Sequence, residues 1–443
     1  MKFLRALYLN NRLFIAIGII VAMFILTFIW GSFVLIPKVL FFIFVALLLT
    51  DGLLLFRTKK GLHGYRFTPE RLSNGDENEL RIHLENLYPF TISLQVIDEI
   101  PHQFQKRDFN FVLQLTSGEL KVLSYTLRPV KRGEYSFGAV NAYVSSPLGF
   151  FSRRFRFSAD ALVPVYPSYI QMRKYELMAI SNRLTENGIK KIRRIGNNLE
   201  FELIKEYVNG DDIRTINWKA TARRMNLMVN HYQDERSQQV YSIIDKGRVM
   251  QMPFKGMSLL DYAINASLVI SNIAIKKSDK AGLITFQDKV AAMVGASKQN
   301  SQMAHIMEVL YNQKTAYRES DFSSLYTRIR RKITQRSLLL LYTNFESIYG
   351  LHRQLPYLKR IAKQHLLVVI FFENTEMQSL LEQPANDLRQ VYHKAIAEKF
   401  SYDKKLIVKE LTRHGIQAML TAPENLTVNT INKYLELKAR GMI

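Results

Sequence analysis

Three carboxylates, Glu200, Glu202 and Glu206, stand close together and are followed at short range by Tyr207, Gly210, Asp211, Arg214, Trp218 and Arg223. Two carboxylates held at a set separation can divide acid and base roles at a glycosidic bond, but nothing in this spacing sets the separation. The same residues also read as turn and clamp chemistry. Asn209-Gly210-Asp211-Asp212 is a turn, and Asp211 or Asp212 can cap the segment that follows. Arg214 and Arg223 can fork onto Glu206 or Asp211 as planar charge-assisted pairs. Trp218 is large and amphipathic, suited to filling a domain junction. The set is therefore either a clamp between domains, the preferred reading, or a binding surface for a partner.

A second candidate is Asp245, which closes the apolar run 240–244. An acid at the carboxyl end of a strand sits where open α/β sheets bind ligands. It is followed by Lys246-Gly247-Arg248-Val249, which brings positive charge to that rim. Other chemistry is missing. There is no GxxxxGK[ST] phosphate loop, no GxGxxG after a strand, no HExxH and no GxSxG elbow. His83 and His102 are isolated and read as structural or surface residues. The chain has no cysteine, which excludes thiol nucleophiles, disulfides and cysteine-ligated zinc and fits a reducing compartment. No cofactor is expected, and the preferred reading is not an enzyme.

The elements that must position these residues fall into three textures. After Gln238, apolar β-rich runs at 240–244, 282–286, 337–342, 366–372 and 417–420 alternate with helical patterns such as 258–277 and 427–439. That alternation predicts a doubly wound, mostly parallel sheet. From about Tyr65 to Tyr166, short alternating segments at 79–84, 91–97, 109–115 and 122–127 are separated by turn residues. This spacing predicts an antiparallel β-sandwich. Within it, 131–135 (Lys-Arg-Gly-Glu-Tyr) and 146–150 (Ser-Pro-Leu-Gly-Phe) are turns, and the Val-Pro-Val-Tyr-Pro run at 163–167 is a last strand.

The N-terminus differs again. Residues 13–30 carry no charge, and at 1.5 Å per residue they span about 27 Å, close to a hydrocarbon core. A break at Gly31-Ser32 and Pro37-Lys38 precedes a second apolar run, 39–56, interrupted only by Asp51. Both runs are apolar all round, unlike a buried core hairpin. No small-residue cleavage site follows the first, which argues against a signal peptide. Lys2, Arg5 and Arg12 precede the hairpin, Arg57, Lys59 and Lys60 follow it, and the loop holds only Lys38. The positive-inside rule then puts both ends in the cytoplasm. Asp51 is read as interfacial, paired with Arg57 or a lysine. The net charge of +23 (61 Lys+Arg against 38 Asp+Glu) suits anionic lipid or an acidic protein. Without an accompanying motif it does not point to nucleic acid.

Lys205-Glu206-Tyr207, Gly210-Asp211, Arg214, Ile216-Asn217-Trp218 and Thr221-Ala222-Arg223 together resemble the signature of the domain of unknown function 58 family. Lys205, Asn209 and Thr221 depart from its usual arginine, proline and serine. The hairpin, the turns at 131–135 and 146–150 and the exit at 163–167 follow the family's order. The resemblance implies a transmembrane hairpin at 1–60, a β-sandwich at 61–168, a signature-motif linker at 169–236 and a von Willebrand factor A-like α/β domain at 237–443. Such domains hold Mg²⁺ through Asp-x-Ser-x-Ser, a threonine and a later aspartate. Here Asp245, Ser320 (with Asp321) and Asn344 (after Thr343) would be vestiges of that site, with two hydroxyls and one carboxylate lost, so no metal is expected. The resemblance also implies a partner, a MoxR-type AAA+ ATPase, and an adaptor in cell-envelope or protein-assembly function. The alternative is an enzyme acting on an envelope component through Glu206–Arg223. The charge asymmetry around the hairpin is directly testable. A C-terminal green fluorescent protein fusion should fluoresce and a C-terminal alkaline phosphatase fusion should be inactive; the reverse pattern would overturn the orientation.

Overall fold

A computed structural model describes residues 6–442 apart from 31–34, 107–108, 159, 181–198, 209–210, 212, 235–236, 316, 383 and 385–386. The chain divides into two compact units, Met1–Tyr166 and Pro167–Ile443.

The first unit opens with a short strand, β1 (Leu7–Leu9), and two helices, α1 (Asn11–Trp30) and α2 (Leu35–Arg57). Both helices are long and apolar enough to cross a membrane by length and composition. α2 starts four residues before the apolar run read from sequence. Pro37 sits in its first turn, where the missing N–H is not needed. Ten strands follow: β2 (Leu62–Phe67), β3 (Leu72–Ser73), β4 (Asn78–Asn86), β5 (Ile92–Asp98), β6 (Asn110–Leu115), β7 (Leu120–Leu127), β8 (Gly133–Phe137), β9 (Val140–Ser145), β10 (Phe151–Phe157) and β11 (Ala161–Tyr166). They form sheets in the orders β1-β10-β9-β5-β6, β2-β4-β7 and β3-β11-β8. Strand alternation does the sorting: Leu80, Ile82 and Leu84 of β4 and Ile92, Leu94 and Val96 of β5 share one core, while Glu79 and Arg81 face out. Gly149 lies at φ +72°, the left-handed turn expected of it, and the Tyr135 hydroxyl donates back to the Lys131 carbonyl at 2.9 Å. His83 stacks on Tyr65, and His102 sits in a short 3₁₀ turn.

Asp51 corrects the expectation of a partner among Arg57 or the lysines. It is fully buried and accepts from the Ser146 hydroxyl and from the Phe150 and Phe151 amides, both at 2.9 Å. Close by, Arg153 of β10 donates to the Leu55 and Thr58 carbonyls at 2.7 Å and to Lys59 at 2.8 Å. These carbonyls lie in the last turn of α2 and just beyond it, where helical partners run out. The Tyr88 hydroxyl adds a bond to Leu55 at 2.8 Å. Charge-bearing residues thus lock the second apolar helix to the strands that follow it.

In the second unit, α3 (Tyr169–Ile180) precedes a hairpin of β12 (Leu199–Glu206) and β13 (Met228–Asp234), with α4 (Trp218–Arg224) between its strands. Then come β14 (Gln239–Asp245), β15 (Pro253–Phe254), β16 (Met257–Ser258), α5 (Leu259–Lys276), β17 (Lys280–Phe286), β18 (Val290–Ser297), α6 (Ser301–Tyr311), α7 (Phe322–Lys332) and β19 (Leu338–Tyr342). The chain closes with α8 (Ile348–Gln364), β20 (Leu366–Phe372), α9 (Thr375–Glu382), α10 (Leu388–Arg413), β21 (Gln417–Thr421) and α11 (Leu426–Ala439). A six-stranded sheet runs β18-β17-β14-β19-β20-β21, parallel except for the antiparallel edge strand β18. Val240 and Ile244 pack toward α5, α6 and α11 on one face, and Tyr241 and Ile243 toward α7, α8 and α10 on the other. Burial on both faces explains why these strands read as continuous apolar runs. It also explains α5, a third helix apolar enough to suggest a membrane span, which lies inside this core. α3 belongs here too: Glu176 pairs with Lys276 at 2.7 Å, and Ser168 donates its amide to Asn265 at 3.0 Å.

Replacing Asp51 with leucine keeps α2 apolar and strips the Phe150 and Phe151 amides of their acceptor. The expected loss is about 1–3 kcal/mol, with membrane insertion intact and faster proteolysis at the 146–151 turn. Unchanged proteolysis would show that the bonds to Asp51 are dispensable.

Candidate functional site

The signature residues sit on the β12–β13 hairpin and its cross-connection. Glu206 faces Met228 across the ladder, and the Tyr207 amide donates to the Leu227 carbonyl at 2.8 Å. Asp211 accepts from the Val208 amide at 3.0 Å, a bond to the preceding residues rather than the expected cap on the segment that follows. Its ion partner is Lys205 at 2.9 Å. Among the described residues no ion pair joins Arg223 to Glu206 or Asp211, which corrects the forked arrangement for that arginine. The side chains of Glu200, Glu202 and Arg214, and all of Gly210, lie outside the described residues. Glu206 is exposed and accepts from Asn226 at 3.5 Å.

Asn217 organises the turn into α4. Its side-chain oxygen accepts from the Ala220 amide at 3.0 Å, its side-chain nitrogen donates to the Asn230 side-chain oxygen at 2.8 Å, and its backbone N–H donates to the Met228 carbonyl at 2.8 Å. The Thr221 hydroxyl accepts from the Met228 amide at 3.0 Å, a role that serine would also fill. Met228 and Val229 are buried beneath, whereas the outer side carries apolar side chains into solvent. Trp218 is 69% exposed and Met225 95%, with Val208, Ile213 and Leu227 also exposed. The expected role for Trp218 as a buried plug is therefore corrected. The helix that Trp218 opens is seven residues, about two turns, long. Lys219, Arg223 and Arg224 surround it, all exposed.

The second site lies at the carboxyl ends of β14 and β19. Asp245 is buried, and its carboxylate accepts from the Gly247 amide at 2.8 Å, the Thr343 hydroxyl at 2.7 Å and the Ser320 hydroxyl. Burial pushes this carboxyl above the usual range, and the three bonds pull it back. Arg248, one of the cations at this rim, makes no ion pair with Asp245 among the described residues. Arg248 instead approaches Glu319 at 3.8 Å, as does Arg353 at 3.4 Å. Asp321, named beside Ser320, caps α7 by accepting from the Ser323 amide at 2.8 Å. Gly247 has a steric reason: a Cβ there would run into the Ser320 hydroxyl.

Asn344 is also buried, and its side-chain oxygen accepts from the Lys404 ammonium at 2.5 Å. Lys404 comes from α10, and burial pushes its amine down to about 8 while Glu346 pulls the other way. No motif marked this lysine in the sequence. A magnesium ion needs carboxylate, hydroxyl and amide oxygens free to converge on one point. The oxygens of Asp245 are taken by internal donors, and that of Asn344 holds an ammonium. The residues present do not fit the ion. Two cavities flank them. One of about 500 Å³ is lined by Asp245, Arg248, Ser320, Thr343 and Arg353, and one of about 280 Å³ by Phe254, Phe372, Phe400 and Lys404.

Residues 204–389 match the family described as "Protein of unknown function DUF58". A curated relative, the uncharacterized protein YeaD of Bacillus subtilis, is 26% identical over 216 residues, 47% of this chain. The chain spans about half (53%) of that relative's length. Among solved structures, BatB from Bacteroides thetaiotaomicron is similar at 13% identity and a TM-score of 0.30, over 46% of this chain and 100% of that one. A CARDB domain from Pyrococcus furiosus is similar at 20% identity and a TM-score of 0.16, over 22% of this chain and 87% of that one.

Gly247→Ala should destabilise the protein by about 1–3 kcal/mol through overpacking. Ser320→Ala should cost about 1.5–3 kcal/mol through the lost bond to a carboxylate. Because both act on one contact, thermal unfolding of the double variant should show less than the sum. Strict additivity would mean that Gly247 and Ser320 do not share space.

Proposed function

We propose that the protein is a DUF58-family, membrane-anchored adaptor with no catalytic role of its own, docking a MoxR-type AAA+ ATPase through the outer side of the β12–β13 hairpin. The carrying observation is Trp218, 69% exposed near the start of the family match. An exposed tryptophan on the connection that also exposes Val208, Ile213 and Met225, with Lys219, Arg223 and Arg224 on the helix it opens, has the composition of an interface centre. Nucleotide chemistry would belong to the partner, since this chain has no phosphate loop. The α/β unit at 237–443, read as von Willebrand factor A-like with a degenerate metal site, carries the hairpin. The β-rich region, read as a sandwich, is the spacer. The two apolar helices, both ends cytoplasmic, hold the assembly at the inner membrane, where the net charge of +23 meets anionic lipid.

The enzyme reading has less support, because Glu206 stands exposed at the end of a hairpin rather than in a water-excluded cleft. The test is affinity purification from gently solubilised membranes, with and without ATP, comparing wild type with Trp218→Ala and Ile213→Ser. Recovery of an AAA+ ATPase, reduced about tenfold or more by Trp218→Ala, is the expected result. Undiminished recovery would remove the hairpin from the interface, and no ATPase under either condition would refute the adaptor.

A further inference from the structure

Beside the Asp245 site, the cavity of about 280 Å³ has apolar walls, among them Phe254, Leu259, Phe372, Met377 and Phe400, and one partly buried cation, Lys404. The Lys404 ammonium lies over Phe371, with Nζ 5.6 Å from the ring centre. Nζ has three hydrogens to donate, and the partner found for it is a neutral one, the Asn344 amide oxygen at 2.5 Å. Among the described residues no carboxylate stands within ion-pair reach of it. Glu346, which also lines the cavity, influences the ammonium from an exposed position. A partly buried ammonium with one neutral partner keeps donors that an anion in the cavity can take.

We propose that this cavity binds a small monocarboxylate with an apolar body, its carboxylate on Lys404 and its body against Phe254, Phe372 and Phe400. The volume is at the small end of ligand pockets, roughly 300–1,000 Å³, which suits an aryl or branched-chain acid and excludes a nucleotide. Glu346, Glu373 and Glu376 also line the cavity and repel a dianion such as phosphate more strongly than a monocarboxylate. The same carboxylates would pair the ammonium of a hydrophobic α-amino acid. The shared chemistry is thus a carboxylate on an apolar body, free or zwitterionic. Lys404 lies beyond the family match at 204–389, and the proposal does not rest on the adaptor reading.

The experiment is calorimetric titration of the detergent-solubilised full chain with 3-phenylpropionate, L-phenylalanine, phenethylamine and inorganic phosphate. Saturable binding of one or both carboxylates at millimolar concentration or below, without binding of phenethylamine or phosphate, is expected. Stronger binding of L-phenylalanine than of phenylpropionate would assign the zwitterion, and the reverse order the free acid. Lys404→Met should weaken binding about tenfold or more. Met377→Trp, which fills the cavity from another wall and leaves Lys404 in place, should weaken it similarly with an unchanged circular dichroism spectrum. It decides the matter if Lys404→Met does not fold. Binding of phenethylamine or phosphate in place of the carboxylates, no binding of any probe, or carboxylate affinity unchanged in the folded variants would overturn the proposal.

Discussion

A carboxylate inside an apolar helix must find hydrogen-bond donors, and for Asp51 they lie in one turn of the β-rich unit. Ser146, Phe150 and Phe151 supply them, and Arg153, two residues further on, closes the open carbonyls at the end of α2. The two contacts are complementary: an acid on the helix takes backbone amides from the strand side, and a base on the strand takes backbone carbonyls from the helix side. An unpaired buried carboxylate is among the least tolerable groups in a protein. The last turns of α2 and the start of β10 therefore form one body, and the apolar hairpin is a built part of the first unit rather than a tether on a loose linker.

The second unit meets the same requirement with Asp245. A parallel sheet covered on both faces puts its strand ends where side chains from several connections converge. At β14 that convergence supplies two hydroxyls and an amide to one buried acid. Gly247 allows the Ser320 hydroxyl to come in, so the loss of a side chain at one position and the gain of a bond at another are a single steric event. The positive charge beside this edge is the ammonium of Lys404, which donates to the Asn344 side-chain oxygen.

Much of the architecture was legible in the chain itself. The strand runs at 366–372 and 417–420 coincide with β20 and β21 within a residue, and the helical pattern at 427–439 with α11. The antiparallel edge strand β18 was not legible. Its mixture of Gly, Ala and Ser, half-exposed along its length, lacks the apolar signal of the buried strands. The hairpin at 199–234 escaped for a related reason: its charged and amide residues read as turn chemistry, and only the ladder from Lys205–Val229 to Leu199–Asp234 shows that they bracket two strands.

The sequence by itself determined the two apolar helices, the alternation of strands and helices after Gln238, and the position of Asp245 at a strand end. Each of these is a local pattern with a period or an edge, and local patterns survive without knowledge of the fold. Tertiary structure alone decided the partners. Asp51 is completed by residues about a hundred positions away, Asp245 by Ser320 and Thr343, and Asn344 by Lys404. A hydrogen bond is made within about 3 Å, and whether two distant residues come that close depends on sheet order and register, which no local pattern encodes.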